Sequence, residues 1–159
     1  MHWGPQDVRT SGYPEELAAF ASARRGGGPA VLWPEHEPPS ACTTRAEVVS
    51  PSLADRLTTL LGRPVVQLAS GPAVPTVVHL HAEHGDFLLL QESGASDVEV
   101  TAPAGPGHPA DSSGTSLALR LLQNEVLYLP QRSRAVLRHE PGTRHLLLQV
   151  AIPPARGTV

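Results

Sequence analysis

VPTVVHLHAEHGDFLLLQESG, residues 74–94, sets two apolar runs around a knot of metal-capable side chains: His79, His81, Glu83, His84 and Asp86. In an extended strand successive side chains alternate faces, so His79, His81 and Glu83 share one side and His84 turns to the other. Gly85 offers a turn, and DFLLLQ is expected to run back as a second, strongly apolar strand of a hairpin. Imidazole and carboxylate groups gathered on one face are a donor set for an octahedral N/O metal site. The candidate metal ligands are therefore His79, His81, Glu83 and Asp86. The alternative is a polar lumen in which the same groups hydrogen-bond to one another. His84 is expected at the surface.

The chain around this stretch has 159 residues, enough for one domain with a real core. Twelve basic against fifteen acidic residues give a net charge of −3, which argues against a nucleic-acid partner. All the basic residues are arginine, so neither Schiff-base chemistry nor a lysine anchor for an anionic cosubstrate is available. The single cysteine, Cys42, excludes an intramolecular disulfide framework and a thiolate zinc cluster. No apolar run approaches the roughly 18–20 residues of a membrane span, and the start does not read as a signal peptide. A cytoplasmic setting is the expectation, with no membrane partner.

Upstream, residues 1–14 read as a flexible arm and residues 15–62 as a leader of helix and loop packing on the barrel. PEELAAFASARR (14–25) has an acidic first turn and a basic last turn, which suits a helix dipole. PAVLW (29–33) is a candidate short strand. SLADRLTTLLG (52–62) reads as a second helix, capped by Ser50 or Ser52 and stopped at Gly62, with Leu53, Leu57, Leu60 and Leu61 on one side. From Pro64 the pattern changes to eight short β-type runs in about ninety residues, the mark of an all-β sandwich or barrel over 63–152. PGT (141–143) is expected to close a hairpin between the last two runs. The Pro/Gly/Ser-rich stretch 103–114 is expected to be a mobile loop and 153–159 a tail.

Two ordered motifs then resemble a known family, the JmjC-like ribosomal oxygenases of the cupin superfamily, in a short and degenerate form. His81-Ala82-Glu83, Asp86, the FLLL run, Gln91 and Gly94 resemble its first motif. Val126, Leu127, Tyr128, Leu129 and Pro130, with Thr143-Arg144-His145-Leu146, are similar to its second. The likeness covers roughly residues 52–151. It implies a double-stranded β-helix (a jelly-roll barrel) in which His-x-Asp/Glu and a distal histidine bind Fe(II). With 2-oxoglutarate and oxygen, such a site hydroxylates a peptide, protein or small molecule.

This chain departs from the family pattern at several positions. The distal-histidine position is Ala135, the 2-oxoglutarate lysine position is Ser96, the aromatic that follows is Val98, and the Gly-Asp turn is Asn124-Glu125. In the wider cupin pattern His79, His81 and Asp86 match the first half, and the second half again falls on Ala135. His139 faces the same way as Ala135 but four residues along, about 13 Å at strand rise. His145 lies where the family has a histidine that is not an iron ligand. Arg134 and Arg138 are candidates to hold an anionic cosubstrate from another strand, or they coat the outer sheet. Gln91 and Tyr128 are candidate pocket residues.

The sequence thus predicts an all-β cupin barrel with a short N-terminal helical extension and a degenerate metal site. The favoured role is an accessory protein binding a small molecule, a peptide or a partner enzyme. The alternatives are a metal-dependent oxygenase with a rebuilt site, holding Fe(II) or another divalent metal, and a structural homodimer module. The 2-oxoglutarate cosubstrate has lost its family anchor. Only PPARGTV follows the last strand, so the extra C-terminal domains of the protein-hydroxylating relatives are not expected and a ribosomal substrate is not implied.

Overall fold

The computed structural model describes residues 12–38, 52–102 and 115–152. The expected loop at 103–114, the tail at 153–159 and most of the arm lie outside them. Helix α1 spans Gly12–Arg24, strand β1 Ala30–Leu32 and helix α2 Leu53–Leu61. Eight strands follow: β2 Val65–Pro72, β3 Val77–His81, β4 Gly85–Ser93, β5 Ser96–Ala102, β6 Thr115–Leu121, β7 Val126–Leu129, β8 Arg134–His139 and β9 Arg144–Ala151. These are the eight runs read from the sequence.

Their pairing is not sequential. One antiparallel sheet has the order β1-β7-β4-β9-β2 and the other the order β3-β8-β5-β6. From β2 onward successive strands cross from sheet to sheet except at β5–β6, the one sequence-adjacent pair among the described strands. This order is that of a double-stranded β-helix, an all-β jelly roll of cupin type with a short helical extension. The two expected hairpins are therefore corrected. β3 pairs with β8 while β4 pairs with β7 and β9, so Gly85 turns a corner between sheets. Residues 140–143 likewise carry the chain from β8 in one sheet to β9 in the other.

Alternation along the strands builds two separate cores. Phe87, Leu89, Val98, Val100, Leu121, Leu127, Leu129, Ala135, Leu137 and Leu147 fill the space between the sheets. Leu88, Leu90, Val126, Tyr128, Leu148 and Val150 point the other way, onto Tyr13, Leu17, Ala18 and Ala21 of α1 and Ala54 and Leu57 of α2. The helices thus roof the outer face of the five-stranded sheet, which explains why β4 reads as a continuous apolar run: both its faces are covered. Helix α2 is capped by Ser52, whose hydroxyl accepts from Asp55 N at 3.2 Å, and ends at Gly62 in the left-handed region (φ 64°). Leu60, expected on its packed side, is exposed instead.

Candidate functional site

Strand β3 decides what the histidine-rich stretch can do. His79 and His81 share a face, as alternation requires, but that face is the outer one. Val78 and Leu80 point inward, and Leu80 packs on the lumen core with Ala82. The physical reason is the choice that period two imposes: one of the two sets must enter the apolar lumen. Burying imidazoles and a carboxylate there without partners costs several kcal/mol, whereas burying valine and leucine is favourable. His81 Nδ1 lies 3.0 Å from Glu83 Oε1 in solvent, and this contact holds the Glu83 carboxyl below its ordinary range. His84 is exposed.

Asp86 is separated from this group. Its carboxylate accepts from Tyr128 Oη at 2.9 Å and from Gln131 N at 2.8 Å, beneath the helical roof. The structure therefore does not bring His79, His81, Glu83 and Asp86 together. Among the described residues no group of three or more His, Cys, Asp or Glu is placed to hold a metal ion. The Fe(II) that the resemblance implies does not fit this donor set: the inward positions of β3 are apolar, and Leu80 pairs with Ala135. Arg134 and Arg138 are on the outer face of the four-stranded sheet, where Arg138 pairs with Glu99 at 3.6 Å. They coat the outer face of that sheet. Tyr128 is on the helix side of β7, opposite Leu127 and Leu129, and its burial and the Asp86 contact push its phenol up.

The polar side chains that do converge are Gln91, Ser96, His139 and His145. Gln91 follows Phe87 and Leu89 inward on β4, and His139 follows Ala135 and Leu137 inward on β8. Ser96 and His139 are cross-strand partners, as are Gln91 and His145. All four therefore cap one end of the apolar lumen. Ser96 Oγ lies 2.6 Å from His139 Nδ1 and accepts from Gln91 Nε2 at 3.0 Å. The His139 and His145 rings stack with centres 5.2 Å apart and planes 29° apart. Burial, and the neighbouring ring in the case of His139, lowers both imidazoles and keeps them neutral at pH 7. Sequence reading had singled out each of these four positions separately; their meeting depends on pairings across the barrel.

A cleft of about 480 Å³ opens beside this cluster, on the helix side of β4 and β9. Tyr13, Leu53, Leu90 and Leu146 supply its apolar wall, Glu37, Glu92 and Glu125 its carboxylates, and Arg144 a guanidinium. Gln91 also lines it. The turn that shapes its rim is Asn124-Glu125, where Asn124 adopts a left-handed conformation (φ 69°) and donates its N–H to Gln91 O at 2.7 Å. Asparagine is among the side chains that tolerate this left-handed geometry. Sequence reading missed this cleft because its wall joins α1, α2 and two strands far apart in the chain.

No family model and no curated protein matches the chain. Among solved structures it is similar to the Streptococcus suis RmlC in complex with dTDP-D-xylose, at 14% identity and TM-score 0.44, over 60% of this chain and 47% of that one. It is also similar to the Drosophila melanogaster CENP-C cupin domain, at 12% identity and TM-score 0.37, over 55% of this chain and 54% of that one. A third is the hydroquinone 1,2-dioxygenase PnpCD, at 17% identity and TM-score 0.31, over 57% and 56%. The chain thus spans less than two thirds of the length of each of these proteins. No activity carries over at such distances. What stands on the strand order alone is the fold, a cupin-type jelly roll.

Proposed function

We propose that this chain is a binding module of JmjC-like oxygenase descent that takes a small ligand or a peptide side chain in the helix-side cleft. What supports this is the apolar lumen: Leu80, Ala135, Leu137 and Val98 pack together between the sheets, where the resembled family carries its polar site. The roofed cleft instead joins an apolar wall to three carboxylates and one guanidinium. Its ligand is an amphipathic molecule bearing a positive group, such as an aliphatic amine or a cationic peptide. An accessory role, serving a partner enzyme, follows from binding without an inherited reaction centre.

Two measurements test it. Loaded with Fe(II), 2-oxoglutarate and oxygen, the protein forms no succinate above buffer, and its metal content equals that of a His81→Ala/Glu83→Ala variant. Thermal-shift screening against amines and cationic peptides finds ligands whose effect falls in Glu92→Gln and Leu146→Ala. Succinate formation abolished by that double variant, or a screen without hits, ends this reading.

A structural dimer is the second reading, favoured by one observation. The side of the barrel formed by β2 and the turn into β3 exposes Val66, Leu68, Val74 and Val77. Among the described residues β2 is an edge strand, with one side left without a strand partner. Light scattering of wild type and Leu68→Glu decides it: a dimer that becomes a monomer supports this reading, and a monomeric wild type removes it.

A further inference from the structure

We infer that the lumen-end cluster is a divalent-metal site in which His139 Nε2, His145 Nδ1 and Gln91 Oε1 are the protein ligands. The inference is independent of what occupies the cleft. It starts from an imbalance: these three atoms are buried and have no hydrogen-bond partner among the described residues. Gln91 and His139 are also more than nine-tenths buried as residues. An unpaired buried polar atom costs on the order of 1–3 kcal/mol, and three gathered at one end of an otherwise apolar lumen call for a common partner.

Ser96 explains how the three atoms are presented. Gln91 Nε2 donates to Ser96 Oγ at 3.0 Å and reaches Ser93 O at 3.4 Å, and a carbonyl can only accept. That orients the amide and leaves Oε1 free. When His139 Nδ1–H donates to the same hydroxyl, at 2.6 Å, the lone pair is placed on Nε2. A hydrogen bond to the remote ring nitrogen is the usual support of a metal-bound histidine.

Two imidazole nitrogens and one amide oxygen suit a borderline first-row ion such as Zn(II) or Co(II), with water completing the shell. Glu92, whose charge acts on His145, places a negative group nearby. This donor set shares no residue with the exposed His79, His81 and Glu83, and none with the position of Ala135.

The test titrates the full-length protein with Co(II) and Zn(II), following visible ligand-field absorption and competition with a chromophoric chelator. The expected result is one equivalent bound with a tetrahedral Co(II) spectrum. His145→Asn and Gln91→Leu each weaken binding at least tenfold, and Ser96→Ala weakens it about 10–100-fold by releasing the ligands. His79→Ala/His81→Ala leaves the spectrum unchanged. Circular dichroism establishes that each variant is folded. Because His145 is only partly buried, its variant stays informative where a His139 variant fails to fold. Absence of saturable binding, as expected if only water fills the site, overturns the inference. So does binding that survives His145→Asn but disappears in His79→Ala/His81→Ala.

Discussion

Leu80 and Ala135 are cross-strand partners on β3 and β8, and both side chains belong to the lumen core. Ala135→His, which places a histidine at the distal-ligand position of the resembled family, therefore adds an imidazole to a packed apolar space where the facing β3 residue is Leu80. The variant should lose roughly 1–3 kcal/mol of stability by overpacking, read from urea unfolding, and gain no Fe(II)-dependent turnover of 2-oxoglutarate. A gain of turnover would mean that β3 can invert its faces.

The exposed histidines should be dispensable for folding. His79→Ala/His81→Ala removes two side chains from the solvent face of β3. Its stability should stay within about 0.5 kcal/mol of wild type, measured by chemical denaturation. A loss of several kcal/mol would show that they are buried by a partner.

Leu88 and Leu89 are sequence neighbours fully committed to different cores. Truncation of either to alanine should cost about 2–5 kcal/mol. Hydrogen exchange separates the two effects. Leu88→Ala should accelerate amides of α1 and α2 first, whereas Leu89→Ala should weaken protection in the strands of both sheets. Identical exchange patterns would contradict the two-core arrangement.

Alkaline pH should unfold the protein through its buried phenols. Tyr128 is raised above its ordinary value of 10.0 by burial and by the Asp86 carboxylate, and Tyr13 is raised by burial and by Glu16 and Glu92. The folded state thus holds these protons more tightly than the unfolded chain does. Their contribution is fully present below pH 10 and is lost as pH rises through the folded-state values, because the unfolded state ionises first. Tm should fall above about pH 10, and Tyr128→Phe should flatten that fall. An unchanged slope in the variant would place the alkaline transition elsewhere.

Much of the architecture was legible in local pattern. The eight β-type runs match β2 to β9, the charge pattern of 14–25 matches α1, the leucine spacing of 52–62 matches α2, and Ser52, one of the two cap candidates, and Gly62 mark the ends of α2. Each of these signals is carried by residues a few positions apart. Pairing was not legible in the same way, since a glycine between two apolar runs serves a hairpin and a corner between sheets equally well. Gly85 and the 140–143 turn are corners.

The candidate site divides along the same line. Sequence alone determined that His79, His81 and Glu83 share a face, because that follows from strand periodicity, whereas the reading of Ala135 as a distal-ligand position rested on the family resemblance. The tertiary structure decided which face entered the barrel, and hydrophobic burial chose Leu80 over its histidine neighbours. It also decided that Gln91, Ser96, His139 and His145, spread over 55 positions of sequence, meet at one lumen end. Those contacts exist only once four strands from two sheets are closed against each other, and no local pattern encodes that closure.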